Sequence, residues 1–238
     1  MKVNHIKKVK NLFFSFFFLC SLSVSAYELE EYFNEYTSGK NTVEESLESL
    51  ENNIWKISSK FDHSIFQVEQ EAIFKVTFDR KIILLSAFRN TRAFGGFRKE
   101  RQAFEINYEK NTIFYEYNKK KGSILFDCEN YEDCSFFDNL TLQIQSKLDI
   151  NKEKLPSDFD FNYLDKGQIK TKKFKLEGLI DPSLKNEVAK IKFSEIRDDD
   201  KGFEMWFDPN RNFLTYRIFQ DFGSQDLTWN LKSKLSEE

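Results

Sequence analysis

The stretch 203–219, FEMWFDPNRNFLTYRIF, alternates with a period of two on both sides of a short polar interruption. Phe203, Met205 and Phe207 fall on one side of the first arm, with Glu204, Trp206 and Asp208 on the other. In the second arm Leu214, Tyr216 and Ile218 alternate with Phe213, Thr215 and Arg217. Between the arms, Asp208-Pro209-Asn210-Arg211 carries turn chemistry: Pro presets φ, and Asp and Asn bond their own backbone. This is a β-hairpin signal, and its aromatic loading needs a large apolar β surface to pack on. Phe alone contributes 27 of 238 residues and aromatics 16%, flat rings that suit a pleated, half-buried surface.

The same alternation recurs along the chain. Phe104, Ile106 and Tyr108 share a face, Asn111 turns the chain, and Ile113, Tyr115 and Tyr117 follow. A Lys-rich loop over 118–122 returns it to Ile124-Leu125-Phe126, giving an antiparallel meander. Phe159, Phe161 and Tyr163 line one side of a strand bounded by Leu155-Pro156 and by the turn Asp165-Lys166-Gly167, and residues 169–178 answer it. Residues 81–88 read as a buried strand, Gly95-Gly96 as a sharp bend, 188–196 as a strand, and Leu227, Trp229 and Leu231 as a last one. Three segments stay open between helix and strand. Residues 42–50 carry a capping box, Thr42-Val43-Glu44-Glu45, yet lie between two turn clusters. Residues 64–78 fit one amphipathic helix or two strands broken near Gln70-Glu71, and Leu140, Leu142 and Ile144 start either kind of element. Roughly ten or more short strands joined by tight turns imply an all-β chain. The expectation is a strongly curved sheet or barrel, lipocalin-like or a lipoprotein-carrier-like half-barrel, with at most one or two short helices.

The N-terminus reads as a targeting segment. Lys2, Lys7, Lys8 and Lys10 precede an apolar run over 12–22, and Val24-Ser25-Ala26 offers small residues for cleavage after Ala26. The expected organisation is a signal peptide over 1–26 and a single β-rich domain over 27–238, delivered to the periplasm with no membrane span after cleavage. Removing that segment moves the formal charge from −3 to −7. So acidic a domain is a poor partner for nucleic acid. The Lys119-Lys120-Lys121 and 170–175 basic stretches read as a solvated turn and a solvated strand face. Cys128 and Cys134 are the two cysteines of the expected mature chain, and in an oxidising compartment such a pair reads as a local disulfide contributing about 2 kcal/mol. With His63 the one mature histidine, no metal site is expected.

Several short motifs share an order found elsewhere. Glu35-Tyr36, Gly39, Trp55-Lys56-Ile57 and Ser86-x-Phe88 open it, and Phe104-Glu105-Ile106-Asn107 and the 138–143 run DNLTLQ continue it. Phe161-Asn162-Tyr163, the Asp165-Lys166-Gly167 turn, Met205-Trp206-Phe207-Asp208-Pro209, Asn212-Phe213-Leu214 and Arg217-Ile218 close it. This order resembles the exported bacterial family known as domain of unknown function 3108, across most of the mature chain. Thr215 stands where that family has a proline. The resemblance implies a secreted, β-rich protein with no assigned enzyme activity, and it favours a strand over 42–50.

No nucleophile elbow, zinc-protease motif or phosphate loop is present, so no catalytic residue and no cofactor are assigned. The acidic run Asp198-Asp199-Asp200 lacks the spacing of a calcium loop. A curved sheet with inward aromatics can enclose an apolar ligand. Candidate walls are Trp55, Phe104, Ile106, Tyr115, Phe161, Trp206, Tyr216 and Trp229, the alternative for each being a filled core. The reading is a non-enzymatic, barrel-like periplasmic protein binding an apolar or envelope ligand or an envelope protein. The alternatives are a carboxylate-dependent hydrolase of envelope polysaccharide and a module docking through an edge strand.

Overall fold

A computed structural model describes residues 29–51, 53–63, 65–128, 134–150, 158–180, 189–197, 202–211, 213–221 and 226–232. The leader over 1–26, Leu155-Pro156, Asp198-Asp199-Asp200, Val188 and Asn212 lie outside those residues. Eight strands come first: β1 (Tyr32–Ser38), β2 (Asn41–Ser49), β3 (Ile54–His63), β4 (Phe66–Val76), β5 (Ile82–Ala93), β6 (Arg98–Asn107), β7 (Thr112–Tyr117) and β8 (Lys120–Leu125). The short β9 (Phe136–Phe137) leads into helix α1 (Asn139–Ile150). Six more strands follow: β10 (Asp158–Asp165), β11 (Gln168–Ile180), β12 (Ala189–Glu195), β13 (Phe203–Asp208), β14 (Leu214–Asp221) and β15 (Asp226–Leu231).

All fifteen strands belong to one sheet, ordered β8-β7-β6-β5-β4-β3-β2-β1-β15-β14-β13-β12-β11-β10-β9. Two antiparallel meanders meet where β1 pairs with β15, Tyr36 opposite Leu231, and the junction is tightened by Lys232 N–H donating to the Glu35 carbonyl. Every neighbouring pair is antiparallel except β9 with β10. The all-β expectation therefore holds, with a single α-helix among the described residues.

Local chemistry sets the turns. The β7–β8 loop shrinks to Asn118-Lys119, both at positive φ, and the β10–β11 loop is Lys166-Gly167, likewise both positive, as two-residue hairpins require. The segment read over 42–50 forms a strand, Asn41–Ser49, paired on both sides with β1 and β3. Residues 66–76 are neither a helix nor two broken strands: β4 runs unbroken between β3 and β5, with Phe66, Val68, Gln70, Ala72 and Phe74 on the inner face. Gln67, Glu69 and Glu71 are the outer side of that strand, while Gln70 brings a polar group to its inner face. The segment after Asp138 resolves as helix, because Asp138 caps it. The Asp138 carboxylate accepts from Thr141 N–H (2.9 Å) and from the Thr141 hydroxyl (2.6 Å), and Asp138 N–H donates back to that hydroxyl oxygen (3.0 Å). The hairpin β13–β14 is as read, closed by Asn210 N–H donating to Asp208 (3.0 Å). Its faces differ from a regular alternation: Trp206 opposes Arg217 but Phe207 opposes Thr215, so Tyr216 bulges and Thr215 joins Ile218 on the inner side.

The sheet overlaps itself. Adjacent residues of β10, Tyr163 and Leu164, are 5% and 0% exposed, so both faces are covered at that end of the strand, while Asp158, Asp160 and Asn162 face solvent. One face packs a stack of rings, Phe159, Phe161, Phe174 and Phe193, with centroids 4.7–6.2 Å apart. The other lies against β5–β8: Lys166 N–H donates to Gln102 (3.1 Å), and Phe126 meets Phe136 edge-on at 4.9 Å. Tyr115 forms the seam, its ring pressed between two glycines. A Cβ on Gly122 would lie 2.5–2.9 Å from it, and one on Gly167 2.6–3.0 Å. Gly122→Ala should therefore destabilise by about 1–3 kcal/mol through overpacking. Chemical denaturation checks this, and Tyr115→Ala in the same chain should remove the clash and recover part of the Gly122→Ala loss.

Candidate functional site

Inside the curve lies α1, with residues Leu140 to Ile150 all buried. A helix covered on every side must be apolar all round or find partners for its polar groups. This one finds partners. Gln143 donates to Glu45 on β2 (2.9 Å), and the Tyr32 hydroxyl reaches the same carboxylate oxygen (2.8 Å). Gln145 accepts from Ile82 N–H (2.8 Å) and donates to the Arg80 carbonyl (3.2 Å) and Asp149 (3.1 Å). The Ser146 hydroxyl donates to the Leu142 carbonyl (2.7 Å), and the Lys147 ammonium sits 5.0 Å above the Tyr32 ring.

Glu45 and Lys147 are oppositely charged groups in this interior. Burial pushes the Glu45 carboxyl up, against its Tyr32 and Gln143 bonds and the nearby Lys147. Burial likewise pushes Lys147 down, against Glu45 and Glu30. A carboxyl raised on folding contributes stability that is full below its ordinary value of about 4.3 and is lost as pH rises through the raised value. A lysine lowered on folding contributes stability above its ordinary value and loses it as pH falls through the lowered one. Lys147→Met removes the second effect and leaves the first unopposed. Its deficit against the wild type should therefore grow from about pH 4 to about pH 8, reaching about 3 kcal/mol. Denaturation at the two pH values checks it.

A second polar cluster surrounds Arg89 on the inner face of β5. Its guanidinium bonds Glu100 (3.0 Å) and lies 3.6 Å from Asp165, and it faces Asp138 and Tyr163. Tyr163 donates to Asn139 at the start of α1. The void among Gln70, Arg89, Gln102, Asp138 and Tyr163 measures about 10 Å³, room for about one water. Here the carboxylates serve as counter-ions and cap rather than facing a cleft.

The third region lies at the other end of the inner face. Opposed residues share a face, so Val43, Phe61 and Val68 continue the inner row. Phe61 meets Trp229 edge-on at 5.4 Å, Phe66 at 6.0 Å and His63, stacked, at 6.3 Å. These four rings form an aromatic cluster, or mouth, away from the capped, helix-filled end, graded from the buried Trp229 to the exposed Phe66.

The eight sequence candidates divide accordingly. Phe104, Ile106 and Phe161 are in the apolar core, and Trp55 packs against it opposite Phe74. Tyr115 is the seam. Trp229 belongs to the aromatic mouth. Trp206 faces the other way from Met205 and Phe207, beneath Lys192 (5.7 Å) and Arg217 (5.8 Å). Tyr216 sits at the bulge. Sequence reasoning missed Phe61, Phe66 and Glu45. Glu45 alone left a signal, a charge at the apolar parity between Val43 and Leu47. Cys128 and Cys134 are joined as a disulfide, Cα atoms 6.1 Å apart.

No protein-family model matches the chain, and no curated protein matches it. Among solved structures, the fold is similar to a β-barrel-like protein of domain of unknown function DUF1849 from Brucella abortus. The TM-score is 0.50 at 10% identity, covering 85% of this chain and 95% of that one. At that identity the likeness shows the fold alone: this is a β-barrel-like protein. Among the described residues no helix is long and apolar enough to cross a membrane.

Proposed function

We propose that this chain is an exported envelope protein, without enzymatic activity, that holds an apolar ligand such as an acyl chain at the aromatic mouth. The observation that carries this reading is the four-ring contact of Phe61 with His63, Phe66 and Trp229 on the inner face. Rings that touch one another, flanked by Val43, Val68 and Ile218, offer flat apolar walls to a hydrocarbon chain. Export is supported by the basic 2–10 region, the apolar 12–22 run and a disulfide of a kind that persists in oxidising compartments. The engagement of Glu100 and Asp165 with Arg89 favours binding over polysaccharide hydrolysis, because those carboxylates already share a cation.

The test is native mass spectrometry of protein released from the periplasm, followed by titration of the delipidated protein with a long-chain fatty acid read by Trp fluorescence. The expected result is co-purifying apolar mass and saturable binding, weakened about tenfold or more by Phe61→Ala, the loss of one ring's contact. Protein that is empty on release and shows no saturable response overturns the proposal.

A further inference from the structure

Beside the mouth, two hairpin tips carry exposed apolar side chains. Ile65 (56%) and Phe66 (40%) belong to the β3–β4 turn, Phe94 (63%) and Phe97 (97%) to the β5–β6 turn. Single exposed apolar residues are ordinary, but four large ones on adjoining tips form a patch that marks an interaction site. The tips are tied together, Phe94 N–H donating to the Ile65 carbonyl (2.7 Å), and the second is closed by Phe97 N–H on the Phe94 carbonyl (3.3 Å). Phe94 takes φ +51°, a left-handed conformation that disfavours a side chain by about 1 kcal/mol, and Gly95 and Gly96 continue at positive φ. This loop holds both phenylalanines outward against solvent preference, and Phe94 against backbone preference as well.

Directly behind the tips, the outer row Gln67, Arg92 and Lys99 floors a hollow of about 280 Å³, which Gly95 and Gly96 help to line. Arg98 stands on the neighbouring position. Among the described residues none of Arg92, Arg98 or Lys99 has an ion pair, and the one acid bonded at this floor is Asp62, which accepts from Gln67 (2.8 Å). Unpaired cations collect around an apolar tip in a chain whose formal charge is −3. Phenyl rings projecting beyond a basic collar match one chemistry: acyl chains for the rings and lipid phosphates for the cations.

We propose that these two tips dock the protein peripherally on an anionic lipid surface, Phe94 and Phe97 entering the acyl boundary and a headgroup phosphate seating over Arg92 and Lys99. This goes beyond the ligand reading and does not depend on it, since the tip side chains Phe94 and Phe97 are not part of the Phe61–Trp229 contact.

The test is co-sedimentation of the exported protein with phosphatidylglycerol-containing vesicles and with pure phosphatidylcholine vesicles. The N-terminus is read by mass spectrometry and is identical in every variant, so that the 12–22 run contributes equally. The wild type should prefer anionic vesicles, and added salt should weaken that preference. Phe94→Ser with Phe97→Ser should lower anionic-vesicle binding about tenfold or more, and Arg92→Gln with Lys99→Gln should lower the anionic preference by a similar factor. Both pairs are at exposed or half-exposed positions, and unchanged thermal unfolding confirms that each variant folds. Equal binding to both vesicle types, or tip variants that bind as the wild type does, overturns the proposal. Concentration-dependent dimers that the Phe94/Phe97 change abolishes, without vesicle binding, also overturn it and assign the patch to a second copy.

Discussion

Helix α1 has no solvent face. Thr141, Gln143, Gln145, Ser146, Lys147 and Asp149 are buried with the leucines and isoleucines of the same helix. An unpartnered polar group in such a place costs about 1–3 kcal/mol, more if charged. The sheet around the helix is therefore constrained to supply partners at fixed positions: Glu45 on β2, the Ile82 amide at the start of β5, and the Arg80 carbonyl just before it. These contacts span 98, 63 and 65 residues of sequence, so a slip of register in β2 or β5 would strand them. Interior polarity here fixes how the sheet wraps.

A sheet of fifteen strands has two edges to manage, and curling one end inside the other covers part of them. The short parallel strand β9 pairs with the edge of β10, and both faces of β10 are covered where it nears its turn, at Tyr163 and Leu164. Close approach of the two layers needs residues without side chains at the contact. Gly122 and Gly167 meet that need, with Tyr115 filling the space between them. Arg89 reinforces the same overlap by joining β5, β6 and the β10–β11 turn through Glu100 and Asp165.

Most strands were legible in the sequence because period-two alternation is a local property. The 203–219 hairpin, the 104–126 meander and the 159–178 hairpin all show it. Residues 66–76 were ambiguous because Gln70 interrupts the apolar parity of Phe66, Val68, Ala72 and Phe74, and only pairing with β3 and β5 decides between strand and helix. The bulge at Tyr216 was not legible either, since an extra residue in one strand is defined by its partner. For the interior, alternation says that Phe104, Phe161 and Trp229 point inward but not what they meet there. Which of them touch a packed neighbour and which sit at the rim depends on where α1 lies. Leu140, Leu142 and Ile144 fit a strand or a helix by spacing alone, and the burial of the polar residues between them rests on partners far away in sequence.

The inner face is therefore divided into an end closed by α1 and an end where Phe61 and Phe66 lie over the buried Trp229 beside projecting hairpin tips. The lipid-surface reading needs only the projecting tips, whereas the ligand reading needs that division. Hydrogen–deuterium exchange of the folded protein measures it most directly, because protection reports local opening free energy element by element. The account predicts that the α1 amides exchange only through global unfolding, with protection equal to the best-protected amides of β3 to β5, while residues 94–97 exchange orders of magnitude faster. Exchange of α1 at the rate of the hairpin tips would contradict it, because the helix would then not be the filled core around which the sheet is wound.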